Sequence, residues 1–252
     1  MSLQQGLAIV LQVKDHGDSD KIVTLYTLEY GKIVLIAKGA KRSKKRFVNK
    51  LELFSLLAIH FAPSRHSSLM RLDQAELLNP FPRLRQNYER YIAASLLCEL
   101  VLHWTREHDC DGELFRLLVW ALEGLALAGG AVNRTIIFFH VKMLDILGYR
   151  PDLTGCLDCG FLGAPGIVYR FSAMRNGLVC SRCEPQATGN TSQPLSIQTI
   201  QLLRRAQDME QGKLERLHFS PAATREAVAL LKRYDTHLLQ REVQSWSFLG
   251  RE

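Results

Sequence analysis

The sequence of 252 residues predicts an α+β protein in which a small five-stranded β-barrel precedes an α-helical domain carrying a four-cysteine zinc ribbon. Three observations predict this architecture. Short β-branched segments separated by turn residues occupy roughly the first eighty positions, helical periodicities dominate the remainder, and two Cys-x-x-Cys pairs interrupt the helices. We therefore expect two domains, at residues 1–79 and 80–252, with the ribbon at about 153–186.

Composition restricts the class of protein. The 47% of apolar residues is enough to build a hydrophobic core, which argues against a disordered chain. No apolar run reaches the roughly 18 residues that a membrane span requires. No segment at the start resembles a secretory signal, so we expect a cytoplasmic protein.

The positive charge is concentrated in one part of the chain. Lys and Arg number 32 against 25 Asp and Glu, which gives a formal net charge of +7. Between Tyr30 and Leu51 there is no acidic residue, and this basic segment contains eight cations: Lys32, Lys38, Lys41, Arg42, Lys44, Lys45, Arg46 and Lys50. Outside it, basic and acidic residues nearly balance, so the whole basic excess lies here.

Five strands are predicted before the first helix. Alternating or β-branched runs between turn residues define them. The predicted strands are Gly6–Lys14, Lys21–Glu29, Lys32–Ala37, Leu51–Phe61 and Ser68–Leu77. Five strands in about eighty residues, with one long loop and no long helix, are typical of a closed barrel of the OB-fold type.

The prolines of Asn79-Pro80-Phe81-Pro82 end the barrel, and helical patterns follow. Apolar residues recur at helical spacing from Tyr88 to His103 and from Leu114 to Leu125, and Gly129-Gly130 stops the second run. Thr135–Leu147 is apolar nearly all round, which predicts a central helix ended by Gly148. After the cysteines, Ser196 and Ser220-Pro221 have the sequence of helix starts.

Two Cys-x-x-Cys pairs, Cys156 with Cys159 and Cys180 with Cys183, predict a metal site. Two facing knuckles at this separation bring four thiolates onto one tetrahedral cation, and Zn²⁺ suits sulfur ligands in that geometry. Four cysteine ligands close the coordination sphere, so the zinc is expected to be structural rather than catalytic.

Other interpretations of the cysteines stay open. Two disulfides would use the same four residues, although the background composition is that of a cytosolic protein. A thioredoxin-type pair would need a Cys-x-x-Cys at the start of a helix after a buried strand, which neither pair has. A second metal site could be sought in Cys98, His103, His108 and Cys110, but Cys98 and His103 lie about 140° apart on a helix.

Several motifs in order give the chain a resemblance to a known family. They are Tyr-x-x-Glu-Tyr-Gly-Lys at 26–32, Ala-Lys-Gly-Ala-Lys-Arg at 37–42, and Leu-Gly-Tyr-Arg-Pro at 147–151 leading into the four cysteines. With the barrel and the helices, they make the sequence similar to the RecO family of bacterial recombination mediators over nearly its whole length. Some members of that family lack the cysteines, so the zinc prediction rests on the residues of this chain.

The resemblance implies a function and partners. Proteins of the RecO family bind single- and double-stranded DNA without sequence preference and anneal strands coated by single-strand binding protein. They act with RecR to load RecA, contact the acidic C-terminal tail of single-strand binding protein, and are not known as enzymes. The resemblance therefore implies a DNA-annealing mediator rather than a catalyst.

The basic segment supports DNA binding independently of the resemblance. Clustered Lys and Arg on a loop of an OB barrel match the charge of a phosphate backbone, so all eight cations are predicted DNA contacts. If about six meet phosphates, log affinity for single strands should fall with log salt at a slope of roughly −4. Tyr26, Tyr30 and Phe47 are candidate stacking residues, but a small barrel needs aromatic residues in its core.

Two other functions are considered. The chain could be a zinc-stabilised adaptor whose helical domain binds an acidic partner tail, in a groove flanked by Lys142, Arg150 or Arg170. A zinc-dependent hydrolase or nuclease would need an open metal position with a histidine or carboxylate ligand, and four cysteines argue against it.

Overall fold

The computed structural model describes residues 3–62, 69–127, 132–163, 166–183 and 194–249. By its internal packing the chain divides into two compact units, Met1–Gly130 with Ser247–Glu252, and Ala131–Trp246. The first unit thus holds the barrel together with the helices that follow it directly. The domain boundary after residue 79 stays a prediction about which part of the sequence folds by itself.

The first unit contains a closed barrel with the strand order β1-β2-β3-β5-β4. Its strands are β1 (Gln4–His16), β2 (Asp20–Thr27), β3 (Gly31–Ala37), β4 (Leu56–Ala62) and β5 (Met70–Asn79). The pairing of β3 with β5 is parallel, and the other four pairings are antiparallel. A five-stranded barrel of this kind is an OB-fold, which confirms the predicted fold class.

The fourth strand begins at Leu56, later than the sequence predicts. Phe54 has a φ of 72°, which an extended strand cannot accommodate. Its N–H donates to the carbonyl of Val10 and the N–H of Val10 donates to the carbonyl of Ser55, so this segment crosses β1 near its bulge. The apolar side chains of Leu51 and Phe54 are buried, but in a loop. The predicted turn at 63–66 and the predicted start of the fifth strand lie outside the described residues.

Burial accounts for two of the three candidate stacking residues: Phe47 lies in the barrel core, and the ring of Tyr26 stacks on that of Phe115. Tyr26 and Phe47 expose 0% and 3% of their surface, so neither offers a ring face to a base. Tyr30 is half-buried and meets the ring of Phe61 edge-on, with centroids 5.2 Å apart. The barrel-core interpretation is therefore confirmed for Phe47, whereas Tyr26 is buried outside the barrel, against Phe115.

Three helices complete the described part of the first unit: α1 (Pro82–Arg85), α2 (Tyr88–Trp104) and α3 (Gly112–Ala126). The side chain of Asn87 caps α2, and the side chain of Asp111 caps α3 by accepting from Glu113 and Leu114. The predicted stop at Gly129-Gly130 lies outside the described residues.

In the first unit, the turn between β2 and β3 packs against the loop between α2 and α3. Gly31 has a φ of 63°, and a Cβ there would lie 2.2 Å from the carbonyl oxygen of Asp109. The N–H of His108 donates to the carbonyl of Lys32 at 2.9 Å. Only glycine fits position 31, because both its backbone conformation and this close approach exclude a side chain.

The described part of the second unit combines three α-helices with a small sheet. Helix α4 (Val132–Ile146) ends before Gly148, whose φ is 80°, as predicted. The sheet has the order β6-β8-β7-β9, and its strands are β6 (Asp152–Cys156), β7 (Tyr169–Ser172), β8 (Gly177–Cys180) and β9 (Pro194–Leu195). Helices α5 (Ile197–Asp208) and α6 (Pro221–Leu239) follow, capped by Ser196 and Ser220 as the sequence predicts. Among the described helices, none combines the length and apolar character that a membrane crossing demands.

Candidate nucleic-acid interface and metal centre

The basic segment starts on β3 and continues as a loop, residues 38–50, which we call the basic loop. Gly39, with a φ of 68°, turns the chain into a 3-10 helix at Ala40–Arg42. The hydroxyl of Ser43 accepts from the N–H of Phe47 at 3.0 Å, and the Phe47 ring is buried in the barrel core. Most of the cationic side chains between Gly39 and Phe47 are exposed.

Two of the predicted DNA-binding residues are paired with acids at the adjoining ends of β1 and β2; we call these strand ends and the turn between them the acidic turn (residues 15–20). The Lys38 ammonium lies 3.0 Å from Asp20, and the Lys41 ammonium lies 2.9 Å from Asp15. Asp20 also accepts from the Gly39 N–H at 2.8 Å. That backbone hydrogen bond, with Lys38 and the Ser19 hydroxyl, lowers the pKa of Asp20 to about 2. The acidic turn thus holds the beginning of the basic loop against the barrel.

Lys32 lies on β3 and points away from the loop, towards the end of helix α2. Its ammonium donates to the carbonyl of Leu102 at 2.7 Å and to the carbonyl of Thr105. Carbonyls in the last turn of a helix lack intrahelical donors, so this lysine satisfies two of them. Desolvation by burial lowers the pKa of Lys32. The structure therefore places Lys32 in a structural contact, although the sequence groups it with the DNA-binding cations.

One hydrogen bond holds Arg46 within the basic loop, and one ties Lys50 to the barrel. The Arg46 guanidinium lies 4.5 Å from the centre of the Phe47 ring and donates to the carbonyl of Lys38 at 2.5 Å. The Lys50 ammonium donates to the carbonyl of Ala75 on β5 at 2.9 Å. These contacts orient both side chains along the barrel surface while leaving donors for a further ligand.

Three of the eight predicted cations keep their charged ends unengaged within the described chain. Arg42, Lys44 and Lys45 are exposed and have no hydrogen-bond or ion-pair partner among the described residues. They are the residues of the basic segment best placed to meet phosphates. The sequence located the charge but did not show that Asp15 and Asp20 neutralise part of it. The acids at 15–20 could have indicated this neutralisation, because the turn after β1 lies next to the loop after β3 in an OB barrel.

The four predicted metal ligands come together in the second unit. The sulfur atoms of Cys156, Cys159, Cys180 and Cys183 all lie within 4.8 Å of one another. The Cys159 and Cys180 sulfurs are 3.8 Å apart. Two thiolates bound to one Zn²⁺ at about 2.3 Å with tetrahedral angles lie about 3.8 Å apart, so the cluster has the size that a zinc ion needs. It is the one group of metal-ligating side chains in the described ranges.

Tight turns of the two knuckles bring the sulfurs together. A Cβ on Gly155 would lie 2.5 Å from the carbonyl oxygen of Gly160, and a Cβ on Gly177 would lie 2.7 Å from the Leu157 side chain. Glycines therefore permit the close approach of chain segments around the cluster. The strand of Cys156 also runs beside that of Cys180 in the sheet, and the Cys180 N–H donates to the Cys156 sulfur at 3.3 Å.

The thiols of the cluster differ in pKa even without a bound metal ion. Burial opposes ionisation of Cys156, but the N–H groups of Cys159, Asp158 and Cys180 lower its pKa to about 6. The Cys183 thiol donates to the neighbouring sulfurs of Cys159 and Cys180, which favours its protonated form and raises its pKa to about 12. Backbone donors aimed at a sulfur are the groups that stabilise a metal-bound thiolate, so the donor set fits a metal site with four cysteine ligands.

The cysteines and histidines considered for a second metal do not form a group of metal-ligating side chains among the described residues. Cys98 is fully buried in α2, and burial raises the pKa of its thiol to about 12. Cys110 lies on the exposed loop before α3, where its sulfur contacts the carbonyl of Leu28. All six cysteines are unbridged thiols.

The cations suggested for an acidic partner have different surroundings. Lys142 donates to the carbonyl of Gln207 at 2.5 Å. Arg150 pairs with Asp145 at 3.2 Å and with Asp208 at 2.6 Å. These contacts already occupy two of the three cations, whereas Arg170 lies half-buried on β7.

Comparison with known proteins identifies the family. A family model described as the N-terminal part of recombination protein O matches residues 1–81, and a model of its C-terminal part matches residues 85–247. A DNA repair protein RecO from Syntrophus aciditrophicus is 35% identical over 240 residues, which cover 95% of this chain and 92% of that protein. Proteins of the same name from Desulfosudis oleivorans and Geobacter sulfurreducens are 32% and 34% identical, covering 97% and 96% of this chain and 96% and 95% of their own. This chain belongs to the RecO family of DNA repair proteins.

Proposed function

We propose that this protein binds DNA without sequence preference through the basic loop of its OB barrel and anneals complementary strands during recombinational repair. The observation that carries the proposal is the concentration of the basic excess on one loop, where Arg42, Lys44 and Lys45 have no partner among the described residues. Lysine and arginine side chains on a flexible stem meet phosphates whatever the base sequence, which suits annealing of any strand pair.

The proposed partners follow from the family. We propose that the protein acts with RecR and with single-strand binding protein, whose acidic C-terminal tail it contacts, so that RecA is loaded on the annealed or gapped DNA. We propose no enzymatic step. Annealing requires charge neutralisation and alignment of two strands, and base pairing itself supplies the free energy.

A strand-annealing assay tests the proposal. Two complementary oligonucleotides carrying a donor and an acceptor dye are coated with single-strand binding protein and mixed with the purified protein. We expect the parent protein to accelerate annealing and the triple variant Arg42→Ala, Lys44→Ala, Lys45→Ala to lose most of that acceleration. Equal annealing rates with and without the parent protein would refute strand annealing as its function.

We also propose that the four cysteines hold one structural Zn²⁺. The sulfur spacing and the backbone N–H groups directed at Cys156 support this assignment. With four protein ligands the ion has no open position, so its contribution is to stability, of order 10 kcal/mol in small zinc modules.

Metal content and stability should change together at this site. We expect one zinc per chain in the parent protein by elemental analysis. Cys159→Ser should lower both the zinc content and the midpoint of thermal unfolding, whereas Cys98→Ser, at a cysteine outside the cluster, should leave the zinc content at one. Unchanged stability of the Cys159 variant after zinc loss would show that the metal does not hold the fold.

A protein-adaptor function has one observation in its favour. A cleft of about 510 Å³ at the end of α5 is lined by Gln201, Arg204, Arg205, Asp208, Met209, Glu210 and Lys213. Its three cations suit an acidic peptide. Two carboxylates share the cleft, and Glu210 already pairs with Lys213 at 2.9 Å. Binding of a labelled acidic peptide that is lost in Arg204→Ala would support the adaptor function.

A further inference from the structure

A polar cleft lies beside the basic loop, on the outer face of β4 and β5. Its volume is about 620 Å³, and it is lined by Lys45, Arg46, Lys50, His60, Asp73, Gln74, Ala75 and Glu76. Small-molecule sites occupy about 300–1,000 Å³, so the cleft has room for a nucleotide but not for a duplex. It differs from the surface of β2 and β3 on which OB-folds commonly bind oligonucleotides.

The two sides of the cleft differ in charge. The basic loop supplies Lys45, Arg46 and Lys50 on one side. The strands supply two carboxylates on the other side, and Asp73 is already paired with Arg71 at 2.6 Å. Glu76 is exposed and has no ion-pair partner among the described residues. A phosphate is attracted to the loop and repelled by the strands, so a bound nucleotide has one preferred orientation.

Strand register places three side chains together on the floor of the cleft. His60 of β4 is directly opposite Gln74 of β5, so the two side chains share the outer face of the barrel. Glu76 lies two residues further along β5, on the same face, opposite the small side chain of Ala58. The floor therefore combines a flat imidazole, an amide and a carboxylate, with space above Ala58.

We propose that this cleft holds one unpaired nucleobase of a single strand whose phosphates follow the basic loop, and that it favours a base with an exocyclic amino group. The imidazole of His60 provides a stacking surface. The Glu76 carboxylate accepts from the amino group of cytosine, whereas the one donor on the pairing edge of thymine, N3–H, lies between two carbonyls that a carboxylate repels. A base already paired in a duplex cannot enter the cleft. The inference rests on the proposed DNA binding: phosphate contacts of the loop still provide affinity for any sequence, and the cleft adds a small preference for the base that occupies it.

Two pyrimidine oligonucleotides give the sharpest test. Binding of labelled oligo-dC and oligo-dT of equal length to the full-length protein is measured by fluorescence anisotropy at one salt concentration. We expect about fivefold tighter binding of oligo-dC, the lower end of what a base contact contributes. In Glu76→Gln the amide can also donate to O4, so the preference should fall to near unity. The matched control Glu52→Gln removes an exposed carboxylate outside the cleft and should keep the parent preference.

The outcomes separate this inference from the proposed function. Equal binding of both oligonucleotides by the parent protein, with affinity that still falls in the Arg42, Lys44, Lys45 triple variant, would overturn the cleft and leave DNA binding by the loop intact. A cytosine preference that persists in Glu76→Gln would also overturn the cleft as its source. Binding of neither oligonucleotide would overturn both. The Glu76 and Glu52 side chains are exposed, so both variants are expected to fold.

Discussion

Removing the three unengaged cations of the basic loop should flatten the salt dependence of DNA binding by a defined amount. The perturbation is the triple variant Arg42→Ala, Lys44→Ala, Lys45→Ala. Each single-strand phosphate contact contributes about 0.7 to the slope of log affinity against log salt. Three contacts therefore contribute about 2 units, which between 50 and 200 mM salt corresponds to about a 16-fold change in affinity.

The assay is fluorescence anisotropy of a labelled single strand over that salt range, with parent and variant measured side by side. A control triple variant removes the same charge elsewhere: Lys213→Ala, Arg225→Ala, Lys232→Ala, all exposed in the second unit. We expect a slope reduced by about 2 in the loop variant and by less than about 0.5 in the control. Equal reductions in both variants would show that net charge, rather than the loop, determines binding and would refute the assignment.

Three further predictions concern residues that stabilise the barrel and the basic loop. Gly31→Ala should destabilise the protein by several kcal/mol in urea unfolding, because the new Cβ would collide with a backbone carbonyl. The control Gly39→Ala has a similar φ but open space around it, so it should lower the free energy of unfolding by only about 1 kcal/mol. Lys32→Met should lower the free energy of unfolding by about 1–3 kcal/mol in the same assay, because two helix-end carbonyls lose their donor. The salt slope of DNA binding should stay at the parent value. A reduced slope would instead assign Lys32 to the DNA interface. The pKa of Asp20 is lowered from 3.8 to about 2, so its contribution to stability is present above pH 3.8 and is lost as the pH falls to 2. Asp20→Asn should therefore flatten the decline of the thermal midpoint between pH 4 and 2. Identical declines in parent and variant would contradict the stabilising contact of Asp20 with Lys38 and Gly39.

The barrel was predictable because its signals are local. Period-two patterns and turn residues define four of the five strands closely, and inward-facing apolar residues leave one way to close the sheet. The start of β4 was wrong because Leu51 to Phe54 are apolar for burial in a loop, where Phe54 adopts a positive φ. Apolar character alone does not distinguish a buried loop from a strand.

The candidate sites were predictable to different degrees. Ligand identity and spacing specify the four-cysteine cluster almost completely, since few folds bring two Cys-x-x-Cys pairs to one point in any other way. The basic loop was located by its charge, but the roles of its members depend on neighbours far along the chain. Lys32 meets a helix seventy residues away, and Lys38 and Lys41 meet the acidic turn, and neither contact leaves a periodic signal in the sequence.

The acidic turn also affects how many phosphate contacts can be inferred from the salt dependence of DNA binding. Salt cations are condensed on a nucleic-acid strand, and they are released when protein cations neutralise its phosphates, which produces the slope. Lys38 and Lys41 are each already paired with a carboxylate of their own chain. When a phosphate replaces Asp20 or Asp15, the displaced carboxylate stays beside the strand and holds a salt cation there, so fewer cations are released overall. The salt slope of this protein should therefore report fewer phosphates than its DNA complex contains.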